Sequence, residues 1–200
     1  MVPTTRLGEV CTKLATGENQ EYVVSLCELG SQVNLYITTL VADKPFTFGP
    51  YQTDAKAVNY AKIEGQILMI VDNEDNPFVR SGGILLYHLN FDFDAPEFVT
   101  FLDYLDHEDL QIQGYVGVPF IGSADIHKPF WGVDHEYRVF LTESRTGAIF
   151  VFGFEVSADG QEVVYLSKKY IPLESIIPTE VKYPTPLKVQ NIVIHYAFDD

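Results

Sequence analysis

Gln66-Ile67-Leu68-Met69-Ile70-Val71, then Gly82-Gly83 and Ile84-Leu85-Leu86-Tyr87-His88-Leu89, then Phe98-Val99-Thr100-Phe101-Leu102, is the stretch that decides the fold. β-Branched and aromatic residues fill its apolar runs, and windows with apolar residues at i, i+3, i+4 and i+7 are scarce along the chain, so strands should dominate. The order recurs at residues 136–168. There Tyr137-Arg138-Val139-Phe140-Leu141 leads through Thr146-Gly147 to Ile149-Phe150-Val151-Phe152-Gly153-Phe154 and on to Val163-Val164-Tyr165-Leu166. A fainter copy covers 21–51. A repeat on this scale predicts stacked units, none able to bury its own apolar faces alone.

Working outward, strand-like runs fall at about 6–14, 21–28, 32–41, 57–64, 66–72, 83–91, 97–104, 112–121, 136–143, 148–156, 161–170 and 187–198. Their separators carry turn chemistry: Gly30-Ser31, Asp75-Asn76-Pro77, Thr146-Gly147 and Ala158-Asp159-Gly160. Residues 137–154 and 150–166 read as two successive hairpins, a meander. Residues 99–110 are ambiguous, because Phe101, Leu102, Leu105 and Leu110 also fit one face of a short helix. Ile67–Val71 and Ile84–Leu89 are apolar at almost every position, so both of their faces should be covered.

On these residues the chain resembles β-propeller proteins of the WD40-like and YVTN-like kind. The resemblance lies in the order strand, acidic loop, Gly, Ile-Leu-Leu-Tyr strand, acidic-Pro turn and outer strand at 66–104, with its copies at 136–168 and 21–51. No Gly-His or Trp-Asp signature accompanies it. It implies an all-β fold of antiparallel meander sheets with approximate blades at 6–52, 57–104 and 112–170 and a partial one at 181–198. Closed propellers contain about 4–8 blades, so the resemblance implies a segment of a larger propeller or closure through another chain. A β-sandwich or barrel is the alternative. Either is a scaffold and specifies no activity.

At 200 residues with 46% hydrophobic and 14% aromatic content, the chain belongs with packed globular proteins. Its net charge of −15, from 28 acidic against 13 basic residues, argues against a nucleic-acid partner, which is held by clustered Lys and Arg. The same balance argues against an anionic membrane surface. No run reaches the ~18 apolar residues of a membrane span. The amino terminus lacks the basic region and apolar core of a secretory signal, so the cytosol is favoured, although a mature exported chain would look the same. Cys27, inside an apolar run, reads as a buried free thiol; a disulfide to Cys11 is open to it if residues 10–14 and 23–27 are adjacent strands.

The densest polar cluster is residues 125–136, read as a long loop between strands, where binding groups tend to lie. Asp125, His127, Trp131, Asp134, His135 and Glu136 are its candidate binding residues. Imidazole and carboxylate donors suit a divalent metal, but the spacing matches no metal motif; the plainer reading has Phe130 and Trp131 anchoring a solvated loop. Asp72-Asn73-Glu74-Asp75-Asn76 lacks the Gly and distal Glu of a calcium loop. Asp92, Asp94, Asp103, Asp106, Glu108 and Asp109 would form an acidic rim. No nucleophile elbow, Cys–His pair or phosphate-cradling loop is present, and no motif calls for a cofactor. Tyr87, Phe101, Phe140, Phe150, Phe152 and Phe154 sit at alternating strand positions that suit a core, or else a ring-lined binding strip.

The expected function is a non-catalytic protein-interaction scaffold that offers an acidic surface to another, basic, protein or to a larger assembly. A glycan- or small-ligand-binding sandwich is the second reading, and a metal-assisted hydrolase centred on 125–136 the third. An open edge at 187–198 would also allow a homo-oligomer.

Overall fold

A computed structural model describes residues 9–16, 22–40, 46–56, 58–72, 83–90, 99–105, 121–129, 135–143 and 147–176. Among these the chain is all-β: twelve strands and one helical turn, Leu173–Ile176. The strands form three four-stranded antiparallel sheets, each an uninterrupted meander in chain order. Sheet A comprises β1 (Val10–Thr16), β2 (Tyr22–Leu29), β3 (Gln32–Thr39) and β4 (Thr47–Gln52). Sheet B comprises β5 (Val58–Glu64), β6 (Ile67–Asp72), β7 (Gly83–Leu89) and β8 (Val99–Leu105). Sheet C comprises β9 (Ile121–His127), β10 (Glu136–Glu143), β11 (Ile149–Val156) and β12 (Val163–Ile171). The chain divides into two compact units: Met1–Asp106 with Asp159–Glu162, and His107–Ala158 with Val163–Asp200.

In the first unit the β2–β3 and β5–β6 hairpins are tight. Leu29 pairs with Gln32 across Gly30-Ser31, and Glu64 pairs with Ile67 across Gly65-Gln66. Gly30 stands at φ 63°, a conformation a side chain would strain. Val24, Leu26, Val33, Leu35 and Ile37 of sheet A share one buried core with Ile63, Leu68, Ile70, Leu85, Tyr87 and Leu89 of sheet B. The two sheets therefore pack face to face, and β1 lies along β5.

That packing sets a geometric problem, because β4 and β1 are opposite edges of sheet A. The chain leaves β4 and must cross a sheet roughly 14 Å wide to begin β5. The step from Gln52 to Val58 can span at most about 20 Å, so the crossing is nearly direct. Its hydrogen bonds trace the route. Thr53 gives both its N–H (3.0 Å) and its Oγ1 (2.9 Å) to the Val33 carbonyl on β3. The Asp54 N–H donates to the Tyr87 hydroxyl on β7 (3.0 Å), and the Lys56 N–H to Asp72 Oδ2 at the end of β6 (3.2 Å). Ala55 is buried between these anchors.

All six residues of β6 are buried, as are six of the seven in β7, so Ile67, Met69, Val71, Ile84 and Leu86 are covered as fully as the core face. The continuous apolar runs predict this. In the second unit, Tyr137, Val139 and Leu141 of β10 pair with Phe154, Phe152 and Phe150 of β11 and make one wholly buried aromatic face. Tyr137 stacks on Phe154 with centroids 5.7 Å apart.

Residues 99–105 are a strand, as the expected run at 97–104 has it and against the helical alternative, because Leu105 to Val99 pair with Ile84 to Leu89 along β7. Other expectations need correction. β4 is absent from the expected runs because Gly49-Pro50 reads as a breaker; a proline is accommodated there because β4 is an edge strand and Gly49-Pro50 falls at the register shift between the Leu35–Tyr51 and Ile37–Phe48 pairs. β9 at Ile121–His127 is a strand missing from the expected runs; of the expected runs at 112–121 and 187–198, residues 112–120 and the whole of 187–198 lie outside the described residues. The free-thiol reading of Cys27 fails because Cys11 pairs directly with it across β1 and β2, and the two are bonded.

Candidate functional site

β9 and β10 bring the polar cluster together. Ala124 and Ile126 turn to the buried aromatic face, so Ser123, Asp125 and His127, one residue out of step, turn to the other. Register places Ser123 opposite Thr142, Asp125 opposite Phe140 and His127 opposite Arg138. Residues paired this way have Cβ atoms roughly 5 Å apart. Phe140 and Val151 are paired on β10 and β11 and stand half-buried in the middle of this face.

At one end of the face the Ser123 N–H donates to Thr142 Oγ1 (2.9 Å), and the two hydroxyls lie 3.2 Å apart. Thr142 is wholly buried and Asp125 only 5% exposed. At the other end Arg138 Nη2 donates to Glu136 Oε1 at 3.2 Å, an exposed ion pair two residues apart on one strand. Such a pair contributes at most about 1 kcal/mol and orients the guanidinium more than it stabilises the fold.

The loop reading of 125–136 is thus corrected in part. Asp125 and His127 end β9 and Glu136 begins β10, and strand alternation puts all three on the face that carries Arg138. His135 sits in the turn before β10, where its carbonyl accepts the Val156 N–H at 2.9 Å. Trp131 and Asp134 lie outside the described residues. Among the described residues no group of three His, Cys, Asp or Glu side chains is placed to hold a metal. The sequence reading missed Arg138. Its signal is the alternation Glu136, Arg138, Phe140, which marks these residues as one face. Chemically this face combines charged and hydrogen-bonding groups around a half-buried aromatic centre, with Arg138 exposed, His127 and Glu136 partly covered, and Asp125 and Thr142 buried.

Two further polar clusters lie in the first unit. Glu9, 8% exposed, accepts from Asn34 Nδ2 at Oε1 and from the Tyr36 hydroxyl at Oε2, both at 2.8 Å. Gln32 Nε2 donates to Asn34 Oδ1 at 3.3 Å. At the sheet crossing, burial pushes the Tyr87 phenol up to about 12, and the nearby carboxylates of Asp54 and Asp72 add to the rise. Burial also raises Tyr51 above the usual phenol range.

Of the expected aromatic strip, Tyr87, Phe150, Phe152 and Phe154 are core residues and Phe140 is half-buried. Phe101 alone of the six is exposed, at 44%, with its ring edge-on to Tyr87 at 5.4 Å. Of the expected acidic rim, only Asp103 falls among the described residues, on β8. No protein-family model matches the chain, and comparison with curated proteins and with solved structures returns no match.

Proposed function

We propose that the chain is a non-catalytic interaction scaffold built of propeller-like blades, and that it presents an acidic, loop-bearing surface to a basic protein partner. The observation that carries the reading is the crossing from β4 to β5. A sequential four-stranded meander is followed by a short return that sets the first strand of the next meander beside the first strand of the last. Radially stacked blades use that connection, whereas sandwiches commonly link their layers through Greek-key crossings.

Rigid stacked sheets hold their connecting loops in fixed positions, and such loops carry binding groups in scaffolds of this kind. The net charge of −15 selects the sign of the partner. The uncovered part of the mixed face of sheet C, with His127, Glu136 and Arg138, adds polar contacts of the type found at interface rims.

The test is binding of the immobilised chain to a panel of basic and acidic proteins of matched size at rising salt. The reading predicts binding to basic members that weakens as salt screens it. Indifference to charge across the panel, or substrate turnover abolished by His127→Ala or His135→Ala, contradicts it.

A further inference from the structure

Cys11 and Cys27 are the chain's only cysteines, and they belong to one row of directly paired residues that runs across sheet A: Cys11 on β1, Cys27 on β2, Asn34 on β3 and Gln52 on β4. Asn34 is also a donor to Glu9, which immediately precedes β1. The disulfide and the buried carboxylate therefore fasten the same end of the same edge strand. One fastens it covalently to β2 and the other through hydrogen bonds to β3.

The two sulfurs differ in access, since Cys11 is exposed and Cys27 is fully buried. A thiolate reductant must enter at Cys11, and the leaving group is then the Cys27 thiolate in a site closed to water. Exchange is slow when the departing thiolate is desolvated and its pKa raised. Opening a faster route requires β1 to lift, and lifting β1 removes Glu9 from Asn34 and Tyr36.

We propose that Cys11–Cys27 is the working-state bond of this protein, which matures in an oxidising compartment, and that the Glu9 clamp on Asn34 and Tyr36 keeps the bond from being reduced. The bond forms by exchange with an oxidised donor, a small-molecule disulfide or a disulfide-carrying oxidoreductase. One cysteine thiolate opens the donor disulfide to a mixed disulfide, the second displaces the donor's remaining sulfur, and the donor leaves as two thiols carrying the two cysteine protons. Disulfides of this structural kind persist outside the reducing cytosol, so an oxidising compartment is proposed in preference to the cytosol that the sequence favoured.

Two measurements test the proposal. Full-length protein taken from the cells that make it, acid-quenched and treated with a maleimide before any reductant, should show no labelled cysteine; labelling of both overturns the compartment assignment. Purified protein is next exposed to millimolar reduced glutathione and thiol release is followed. Glu9→Gln should be reduced roughly tenfold faster or more than wild type, because loss of the charged acceptor frees β1 to open locally. Tyr36→Phe, which removes one donor only, should fall between the two and serves in place of Glu9→Gln if that variant does not fold. Reduction of the folded variants at the wild-type rate overturns the clamp.

Discussion

β6 of sheet B and β11 of sheet C are both interior strands of sequential meanders, yet they are buried in different ways. Ile67-Leu68-Met69-Ile70-Val71-Asp72 is buried at every position, whereas β11 buries Phe150, Phe152, Phe154 and Val156 and leaves Ile149, Val151 and Glu155 only partly covered. Pairing is the same in both; the side chains differ. Hydrogen-bond topology is thus set by turns and strand length, and the apolar pattern separately decides how many faces are covered.

The largest effect belongs to the aromatic face. Phe152→Ala should lower stability by about 3–5 kcal/mol in chemical denaturation, since the ring is fully buried and its neighbours Val139 and Lys168 are held in register. On β6, Met69→Ala and Ile70→Ala point to opposite faces and should each cost about 2–5 kcal/mol. A cost for only one of them would break the comparison. On β11 the corresponding neighbours should separate, with Val151→Ala well below Phe152→Ala.

Gly49 sharpens the contrast between edge and interior strands. It stands at φ 116°, and a Cβ would lie 2.7 Å from the Leu35 carbonyl oxygen. Gly49→Ala should therefore cost about 1–3 kcal/mol although β4 is an edge strand.

Tyr87 tests the crossing. Its folded pKa of about 12 lies above the unfolded value near 10, so the neutral phenol's stabilisation is complete below pH 10 and is lost as pH rises towards 12. Denaturation midpoints should fall through that window, and Tyr87→Phe, which cannot ionise, should show a shallower fall there. At neutral pH the same variant should lose about 1 kcal/mol, because the Asp54 N–H loses its acceptor. The smallest effect is at Arg138→Ala, within about 0.5 kcal/mol, because its ion pair is exposed.

Strand runs and turns were legible because β-branched and aromatic stretches alternate with Gly, Asn, Asp and Pro. The double burial of β6 and β7 followed from their unbroken apolar composition. β4 was not legible, because Gly49-Pro50 reads as a stop until its place at a sheet edge is known. β9 was missed because Gly122, Ser123, Asp125 and His127 look like a polar loop; only the inward turn of Ala124 and Ile126 shows the alternation. The pairs Cys11–Cys27, Glu9–Asn34 and His127 opposite Arg138 depend on register, which local composition does not encode. Of the candidate site, Asp125, His127 and Glu136 share a face because of that register, and His135 is fixed through its backbone.

The scaffold reading depends most on the return from β4 that lays β1 along β5, and methyl NOEs in uniformly labelled protein measure this directly. The account predicts cross-peaks from the Ala15 methyl on β1 to methyls of Val58 or Ile63 on β5, which share its buried cluster. Cross-peaks from Ala15 to β8 residues such as Val99, with none to β5, would place the opposite edges of the two sheets together and contradict it.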